Sequence, residues 1–526
     1  MALHSKTSRR VAAGLAAVAV AAASVAYGTT AANAATTRAA DTLIDTDLGA
    51  LQGATDGEVR SWLGVPYAAP PVDELRWESP QPAATWEGVR EATEFGAACA
   101  QGQGNMPAVP SEEEDCLFLN VYSPDSGQDS LPVMVWFHGG GNTYGAASQY
   151  DPSQLVADGE AVVVTVNYRQ GLFGSMSHPA LDEGGETTSG NYGLEDQQAA
   201  LGWVGENAAA FGGDEDNVTI FGESGGGFNV CAHLAAPTSA GLFDKAIMQS
   251  SPCATDWAPS RAEGQARDVA FAESLGCADA AAAAACLRDL EPAALNEVVG
   301  GRFEVHPVMG GPVMAISTTE ALESGEFNHV PVLTGINRDE EQLTTAGQEV
   351  LTGEHITEAD YRAALEAGFG EHAAAIATEY PVEDFENPAK ALGAVQTDAS
   401  WASGQDGTVE LLAEHTDTFA YELGVTDSPW FSGFARPEWK TDAYHMVDVA
   451  FLFDTTIFEE RTARHERLAD RMIGAWSTFA RTGDPDGRGR WHEAEGDCVR
   501  QLSPEGARNV DFTEEHHLAF WADLNA

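Results

Sequence analysis

Short, continuous runs of apolar and β-branched residues recur along the chain, and stretches with helical character separate them. The runs are VMVWF at 133–137, AVVVTVNY at 161–168, VTIFG at 218–222, KAIMQSS at 245–251, VPVLTGIN at 330–337 and TFAYELG at 418–424. Because they largely lack the polar alternation of a strand with one solvent face, we predict strands buried on both faces. The stretch LEDQQAALGWVGENAAAF at 194–211 is typical of an intervening helix. The pattern predicts an α/β fold, in which a large central, mostly parallel sheet has helices on both faces.

Functional residues of such sheets gather beyond the carboxyl ends of the strands. The third run, at 218–222, continues into GESGG at 222–226, which is a G-x-S-x-G pentapeptide. Between a strand and a helix, this spacing forms a turn too tight for flanking side chains. The turn exposes the serine hydroxyl at the positive end of the following helix. We therefore predict that Ser224 is a nucleophile.

A serine that attacks a carbonyl carbon needs hydrogen-bond donors for the oxygen that becomes negatively charged. The glycine-rich segment HGGG at 138–141 directly follows the first predicted strand. Glycines allow backbone N–H groups to approach a substrate oxygen closely. We predict that the N–H groups of Gly140, Gly141 and Gly225 form an oxyanion hole. His138 is predicted to be a structural residue of this loop and not a base.

Several long segments resemble the type-B carboxylesterase/lipase family, which includes the cholinesterases. FGGDEDNVTIFGESGG at 211–226 resembles the nucleophile signature of the family, and EDCLFLNVYSP at 114–124 resembles its second signature. The similarity extends to segments 64–88 and 479–487. The resemblance implies an α/β-hydrolase fold and a Ser–Glu–His triad. It also implies hydrolysis of small carboxylic esters through an acyl-enzyme intermediate, with no metal and no cofactor.

The triad of an α/β-hydrolase runs along the chain as serine, acid and histidine. The segment GINRDEEQL at 335–343 resembles the acid motif of the family, and Glu340 falls on the matching position. A glycine usually follows this acid, whereas Glu341 follows it here. Asp339 and Glu341 therefore remain alternatives to Glu340.

The histidine is predicted from AYHMVDVAFLFD at 443–454, which resembles the histidine loop of the family and contains His445. The glycine that normally follows this histidine is Met446 here. The resemblance places two further residues beside the triad: Ser250 either supports it or is an ordinary serine at a strand end, and the role of Glu223 stays open. Ser250 lies in QSS, where the family commonly has QSG, and Glu223 precedes the nucleophile as it does in the family.

The chain has seven cysteines, which are Cys99, Cys116, Cys231, Cys253, Cys277, Cys286 and Cys498. None forms a C-x-x-C pair, and no His/Cys cluster has the spacing of zinc ligands, so crosslinks are favoured over a metal. By resemblance, Cys99 pairs with Cys116. By the same resemblance, Cys277 pairs with Cys286. A bond between Cys231 and Cys253 is a further hypothesis, which would leave Cys498 as the odd thiol.

The loop between Cys99 and Cys116 bears on the substrate. In cholinesterases this loop is longer and carries a tryptophan whose π face binds quaternary ammonium. The loop of this chain contains no aromatic residue, so we do not expect a choline ester to be the preferred substrate. Trp257 and Phe303 lie where the family places acyl-pocket residues, although both could equally be ordinary core aromatics.

The net charge of the chain excludes one class of partner. The 81 acidic and 27 basic residues give a formal net charge of −54 at pH 7. Such a surface repels the phosphate backbone, so no nucleic-acid partner is expected. The acidic composition also suits a halophilic protein, because concentrated salt screens the repulsion between like charges.

The N-terminus has the features of a secretory signal peptide. Basic residues precede an apolar run at 11–27, and a small-residue site, Ala32-Asn33-Ala34, follows it. We predict that residues 1–34 are removed, that residues 35–526 form a single catalytic domain, and that the mature protein is secreted and not bound to a membrane.

Two other functions remain open from the sequence. Amide or carbamate hydrolysis would use the same acyl-enzyme route and differ in leaving-group protonation and pocket shape. The family also contains non-catalytic binding proteins, but these lack the nucleophile or one of its triad partners.

Overall fold

A computed structural model describes residues 42–102, 109–182, 189–299, 305–489, 491–492 and 498–525. The predicted signal peptide and Phe303 lie outside these ranges. Within them the strands are β1 (Leu43–Asp45), β2 (Ala50–Gln52), β3 (Ala54–Thr55), β4 (Val59–Pro66), β5 (Val89–Glu91), β6 (Phe118–Pro124), β7 (Leu131–Phe137), β8 (Val162–Val166), β9 (Gly213–Glu223), β10 (Lys245–Gln249), β11 (Val332–Asn337), β12 (Thr418–Leu423), β13 (Cys498–Ser503) and β14 (Gly506–Asp511).

The α-helices surround these strands. They are α1 (Ser153–Gly159), α2 (Gly171–Ser175), α3 (Tyr192–Asn207), α4 (Gly225–Ala235), α5 (Arg261–Ser274), α6 (Ala283–Arg288), α7 (Pro292–Val299), α8 (Thr318–Ser324), α9 (Gln342–Thr352), α10 (Glu358–Phe369), α11 (Ala373–Glu379), α12 (Pro388–Gln396), α13 (Ser403–Ala413), α14 (Ala463–Thr482), α15 (Phe512–Glu515) and α16 (Leu518–Asn525). A π-helical turn at Thr397–Ala402 joins α12 to α13. No helix in the described part of the chain combines the length and apolar character needed to cross a bilayer.

Eleven of the strands form one sheet in the order β14-β13-β12-β11-β10-β9-β7-β8-β6-β4-β3. The pairs from β8 through β13 are parallel. Antiparallel strands flank this centre on both sides. The structure confirms the predicted α/β fold with its mostly parallel sheet. A separate three-stranded sheet contains β1, β2 and β5.

Side chains of the central strands alternate between two apolar layers. In β7, Met134 and Trp136 pack in a layer with helix α14. Val133, Val135 and Phe137 pack on the opposite face in a layer with helices α3 and α4. All five side chains are fully buried, and burying each contributes about 1.5–3 kcal/mol. Helices on both faces therefore account for the absence of polar residues from this run.

Parallel pairing brings the carboxyl ends of the central strands to one edge of the sheet. Phe137, the last residue of β7, is in register with Gly222 of β9. Gln249, the last residue of β10, is in register with Glu223 on one side and Gly335 on the other. The loops that carry the predicted nucleophile, oxyanion glycines and acid therefore leave the sheet side by side.

Three disulfides crosslink the loops around this core. The structure joins Cys99 to Cys116, with an S–S distance of 2.02 Å. It joins Cys277 to Cys286 at 1.96 Å, and it also contains the hypothesised third bond, at 1.98 Å. That bond, between Cys231 and Cys253, ties helix α4 to the segment that follows β10. Cys498 begins β13, and its side chain is outside the described part of the structure.

Candidate active site

The turn between β9 and α4 has the tight geometry that the pentapeptide predicts. Ser224 has φ 54° and ψ −123°, a backbone conformation that residues with a Cβ rarely adopt. Its neighbours leave no space for side chains, since a Cβ on Gly222 would lie 2.5 Å from the backbone of Gly226. A Cβ on Gly226 would overlap the carbonyl oxygen of Phe137. The two glycines therefore permit the turn that presents the hydroxyl of Ser224 beyond the sheet.

A continuous chain of hydrogen bonds connects Ser224, His445 and Glu340. The Oγ of Ser224 lies 2.9 Å from Nε2 of His445. On the other side of the ring, Nδ1 lies 2.7 Å from Oε2 of Glu340. The second oxygen of Glu340 accepts a bond from the N–H of Asn337 at 2.8 Å. With the proton of the neutral ring on Nδ1, the imidazole donates to the buried carboxylate and Nε2 accepts from the hydroxyl.

The acidic neighbours of Glu340 point their carboxylates elsewhere. Asp339 accepts a hydrogen bond from Nε2 of Gln342 at 3.1 Å. Glu341 accepts from Nε1 of Trp401 at 2.7 Å. Of the three adjacent acids, the structure brings only Glu340 into hydrogen-bonding contact with the histidine ring.

Met446 occupies the position at which the family normally has glycine. Its φ of 64° and ψ of 0° lie in the left-handed region, which costs a residue with a Cβ about 1–2 kcal/mol. Its side chain packs against the apolar layer that contains α14. The loop therefore keeps the backbone geometry of a glycine turn, and apolar packing offsets part of the strain.

The predicted oxyanion glycines lie beside the nucleophile. Gly140 and Gly141 have φ of 109° and 60°. A Cβ on Gly225 would lie 2.7 Å from the amide nitrogen of Gly141, so the two backbones are in close contact next to Ser224. His138 is buried and stacks on Tyr168 at 4.5 Å between ring centroids. Burial lowers the pKa of His138 to about 4, so its ring is neutral, as a structural role requires.

Two further carboxyl groups lie near His445. Oε1 of Glu223 is 3.4 Å from Nε2 of His445. Asp448 accepts hydrogen bonds from the side-chain amides of Gln249, at 2.5 Å, and Asn337, at 3.3 Å. Burial raises the pKa of Glu223 well above the usual glutamate value, and the imidazole only partly opposes this shift. Burial likewise raises the pKa of Asp448.

Burial and the neighbouring carboxylates have opposite effects on the pKa of His445. Burial alone lowers its pKa, but the carboxylates of Glu340 and Glu223 outweigh burial and raise it. Glu341 adds to the rise. The ring is therefore a stronger base than a free imidazole, which favours transfer of a proton to Nε2.

Ser250 supports this region through its backbone. Its N–H donates to the carbonyl oxygen of Gly335 at 2.8 Å. Its buried Oγ makes no hydrogen bond to any described residue, so support of the triad by this hydroxyl is not present. The backbone of Ser250 has φ 49°, and the hydrogen bond from its N–H ties the end of β10 to β11.

The predicted acyl-pocket residue Trp257 is connected to the nucleophile through Phe228. Its ring centroid is 5.4 Å from that of Phe228. The N–H of Phe228 donates to the carbonyl oxygen of Ser224 at 2.8 Å. Phe303 cannot be placed with them, because it lies outside the described residues. Residues 103–108 of the loop between Cys99 and Cys116 also lie outside them.

Comparison with known proteins identifies the family to which the chain belongs. Residues 40–521 match the carboxylesterase family. The chain belongs to that family. A para-nitrobenzyl esterase of Bacillus subtilis is 34% identical to this carboxylesterase over 467 residues, which cover 84% of this chain and 90% of that protein. A cocaine esterase of Oryctolagus cuniculus is 34% identical over 465 residues, covering 83% of this chain and 86% of that protein.

Solved structures give the same result for this carboxylesterase. A PNB esterase structure superposes with a TM-score of 0.75 at 30% identity, covering 91% of this chain and 99% of that one. A thermophilic PNB esterase superposes with a TM-score of 0.76, also at 30% identity. The chain is thus a carboxylic ester hydrolase with the α/β-hydrolase fold.

Three residues near His445 in this carboxylesterase were missed by sequence reasoning. Asp448 follows the histidine by three positions, and that spacing was the available signal. Gln249 ends strand β10, inside the run that was predicted to be a strand. Trp401 lies in a polar segment with no motif, and its ring centroid is 4.8 Å from that of His445. In the described part of the chain, no group of three or more His, Cys, Asp or Glu residues is arranged to hold a metal ion.

Proposed function

We propose that this carboxylesterase is a secreted serine esterase that acts on small carboxylic esters through an acyl-enzyme intermediate. The observation that supports this proposal is the hydrogen-bonded chain from Ser224 through His445 to Glu340, set beside the glycines of the oxyanion loop. In the proposed roles, Ser224 is the nucleophile, His445 the general base and acid, and Glu340 the group that orients the imidazole.

Acylation begins when Ser224 Oγ attacks the ester carbonyl carbon while His445 Nε2 takes the hydroxyl proton. The N–H groups of Gly140, Gly141 and Gly225 stabilise the tetrahedral oxyanion, each donor contributing about 10²–10³-fold in rate. The imidazolium then gives its proton to the leaving alkoxide as the bond between the carbonyl carbon and the alcohol oxygen breaks. Glu340 stabilises the imidazolium without taking its proton.

Deacylation repeats these steps with water. His445 takes a proton from water, and the resulting hydroxide adds to the acyl carbon. The bond to Ser224 Oγ breaks as His445 returns the proton to the serine. The carboxylic acid leaves, and the free enzyme is restored with no net consumption of any group other than ester and water.

The names of the relatives support a small-molecule ester as the substrate. Besides the two esterases above, a fumonisin B1 esterase of Sphingopyxis macrogoltabida is 33% identical over 469 residues. The proposed hydrolysis of such an ester uses no bound cofactor. We also propose that residues 35–526 form the mature catalytic domain, because the family match begins at residue 40.

The proposal is tested with purified protein and p-nitrophenyl butyrate at a salt concentration that keeps the protein folded. Replacing Ser224 by Ala is expected to lower kcat roughly 10³-fold or more, because removing a triad member leaves only binding and oxyanion stabilisation. Ser274→Ala, at an exposed position near the end of helix α5, is the matched control. A fluorophosphonate should label the parent and the control but not Ser224→Ala. Equal rates for the parent and Ser224→Ala would refute the proposal.

A further inference from the structure

The π-helical turn Thr397–Ala402 places an indole against His445. The ring centroids of Trp401 and His445 are 4.8 Å apart, and the two planes are inclined by 40°. Trp401 is half-buried, so part of its side chain remains uncovered by the rest of the protein. Among the aromatic contacts of the described residues, this is the one that involves His445.

The loop that carries Glu340 and Glu341 fixes the position of this indole. Its Nε1–H donates to Oε1 of Glu341 at 2.7 Å. The backbone N–H of Glu341 donates to Oγ1 of Thr397 at 3.1 Å. These two bonds fix both ends of the π-helical turn to the residue that follows Glu340. Glu341 stands where the family usually has glycine, and a glycine could not supply this anchor.

The position of the indole identifies the part of the substrate it faces. In the proposed mechanism, the leaving oxygen receives its proton from Nε2 of His445, so the alcohol part of the ester lies at the imidazole. Phe228 lies on the helix that follows Ser224, and its ring packs on that of Trp257, which the resemblance places in the acyl pocket. Because Trp401 contacts the imidazole, it lies at the alcohol side of the site.

We propose that Trp401, anchored by Glu341, determines specificity for the alcohol part of the substrate and favours esters of planar aromatic alcohols. This inference rests on the proposed function. An aromatic alcohol stacks on the free indole surface, and such contacts contribute roughly 2- to 12-fold beyond the burial of area. A saturated ring of the same size has the same apolar area but no flat face to stack.

The experiment compares kcat/KM for benzyl butyrate and cyclohexylmethyl butyrate, which share the acyl group and differ in the planarity of the alcohol. The benzyl preference of the parent is expected to fall roughly 2- to 12-fold in Trp401→Leu, which has no ring. Trp401→Phe retains a ring and should keep most of the preference. Glu341→Ala frees the indole and should reduce the preference, whereas Glu341→Gln retains the acceptor oxygen and should preserve it.

Trp439→Leu is the matched control. The indole of Trp439 also donates a hydrogen bond to a glutamate, Glu349, at 2.9 Å. Its ring lies 5.6 Å from the ammonium of Lys390. A second readout, the kcat/KM ratio for methyl hexanoate and methyl butyrate, should be the same in the parent and in Trp401→Leu. If Trp401→Leu does not fold, Glu341→Ala carries the same expectation.

An unchanged benzyl preference in the folded variants would overturn the inference, and so would an equal change on the acyl side. Failure of the parent to hydrolyse either butyrate would instead overturn the proposed function. The two failures are therefore distinguishable.

Discussion

Among the individual side chains of the site, Glu340 differs from its acidic neighbours in what its carboxylate contacts. It is fully buried and lies 2.7 Å from Nδ1 of His445, whereas the carboxylate of Glu341 is bonded to an indole. Glu340→Gln is expected to lower kcat on a short-chain ester about 10³–10⁴-fold, because an amide favours the wrong imidazole tautomer. Glu341→Gln keeps its acceptor oxygen and should retain kcat within about tenfold. Steady-state kinetics of both variants test this, and similar losses in the two would contradict the assignment.

The pH dependence of activity is expected to follow the protonation of His445 and of the carboxyl groups around it. His445 must be neutral to accept a proton, and the carboxylates of Glu340, Glu223 and Glu341 raise its pKa against the effect of burial. Glu223→Gln removes one negative charge, so the imidazolium becomes less stable and the pKa of His445 falls. The acid limb of kcat/KM should therefore move to lower pH.

This shift is measured between pH 6 and pH 11 with an uncharged ester, because the neighbouring carboxylates raise the pKa of His445 to about 10. A limb that stays in place, or moves to higher pH, would show that Glu223 carries no charge when His445 titrates. Burial raises the pKa of Glu223, so the size of the shift reports how much of that carboxyl is ionised in the free enzyme.

The three candidate triad residues were predicted from short contiguous segments. The spacing of a pentapeptide predicts Ser224, whereas Glu340 and His445 were predicted because their segments resemble motifs of the family. Trp401 contacts His445 from a segment distant in the chain, and nothing in its own neighbourhood encodes that contact. Local patterns therefore reveal residues whose geometry is set by a turn, but not those whose position is set by tertiary packing.

At the scale of secondary-structure elements, one buried histidine connects the C-terminal helices to two other parts of the chain. Nδ1 of His516 lies 2.5 Å from Oδ1 of Asp398 on the π-helical turn. Nε2 lies 2.7 Å from Oε1 of Glu422 on strand β12. Burial alone lowers the pKa of His516, but the two carboxylates outweigh burial and raise it to about 10. The protonated ring thus connects three elements that are far apart in the chain.

This connection predicts a loss of stability at alkaline pH. The folded pKa of His516 lies above the unfolded value of about 6.5. Its contribution is therefore complete below about pH 6.5 and is lost as the pH rises toward about 10. The urea midpoint should fall across that range in the parent, and the slope should be smaller in His516→Gln. His372→Gln, at an exposed position, should behave as the parent. A parent midpoint that does not change between pH 6.5 and pH 10 would contradict this account.

The burial of a strand decides whether its sequence pattern predicts it. The six apolar runs correspond to β7 through β12 because both faces of these strands are buried. Strands β13 and β14, with sequences CVRQLS and GARNVD, pair at the antiparallel edge, and polar residues interrupt the apolar ones without a regular period. Their assignment depends on the neighbouring strand, so the sequence pattern alone did not predict them.

For the whole molecule, the excess of acidic residues is the dominant property. With a formal net charge of −54, like charges repel over distances that salt controls, since the Debye length falls from about 10 Å at 0.1 M to about 3 Å at 1 M. If the composition is an adaptation to high salt, Tm should rise between low and multimolar NaCl. An uncharged osmolyte at matched osmolality leaves the charges unscreened and should raise Tm less. No rise in NaCl, or an equal rise in the osmolyte, would contradict the halophilic interpretation.

The helix Ala463–Thr482 has a consequence for how the protein is made. It packs against Met134, Trp136 and Phe221, so one face of the central sheet is covered by a segment near the end of the chain. A nascent chain still attached to the ribosome would therefore expose that face until more than 480 residues had been synthesised. This face of the sheet can be covered only after the helix has been synthesised, so ester hydrolysis is expected to appear late in a synthesis time course.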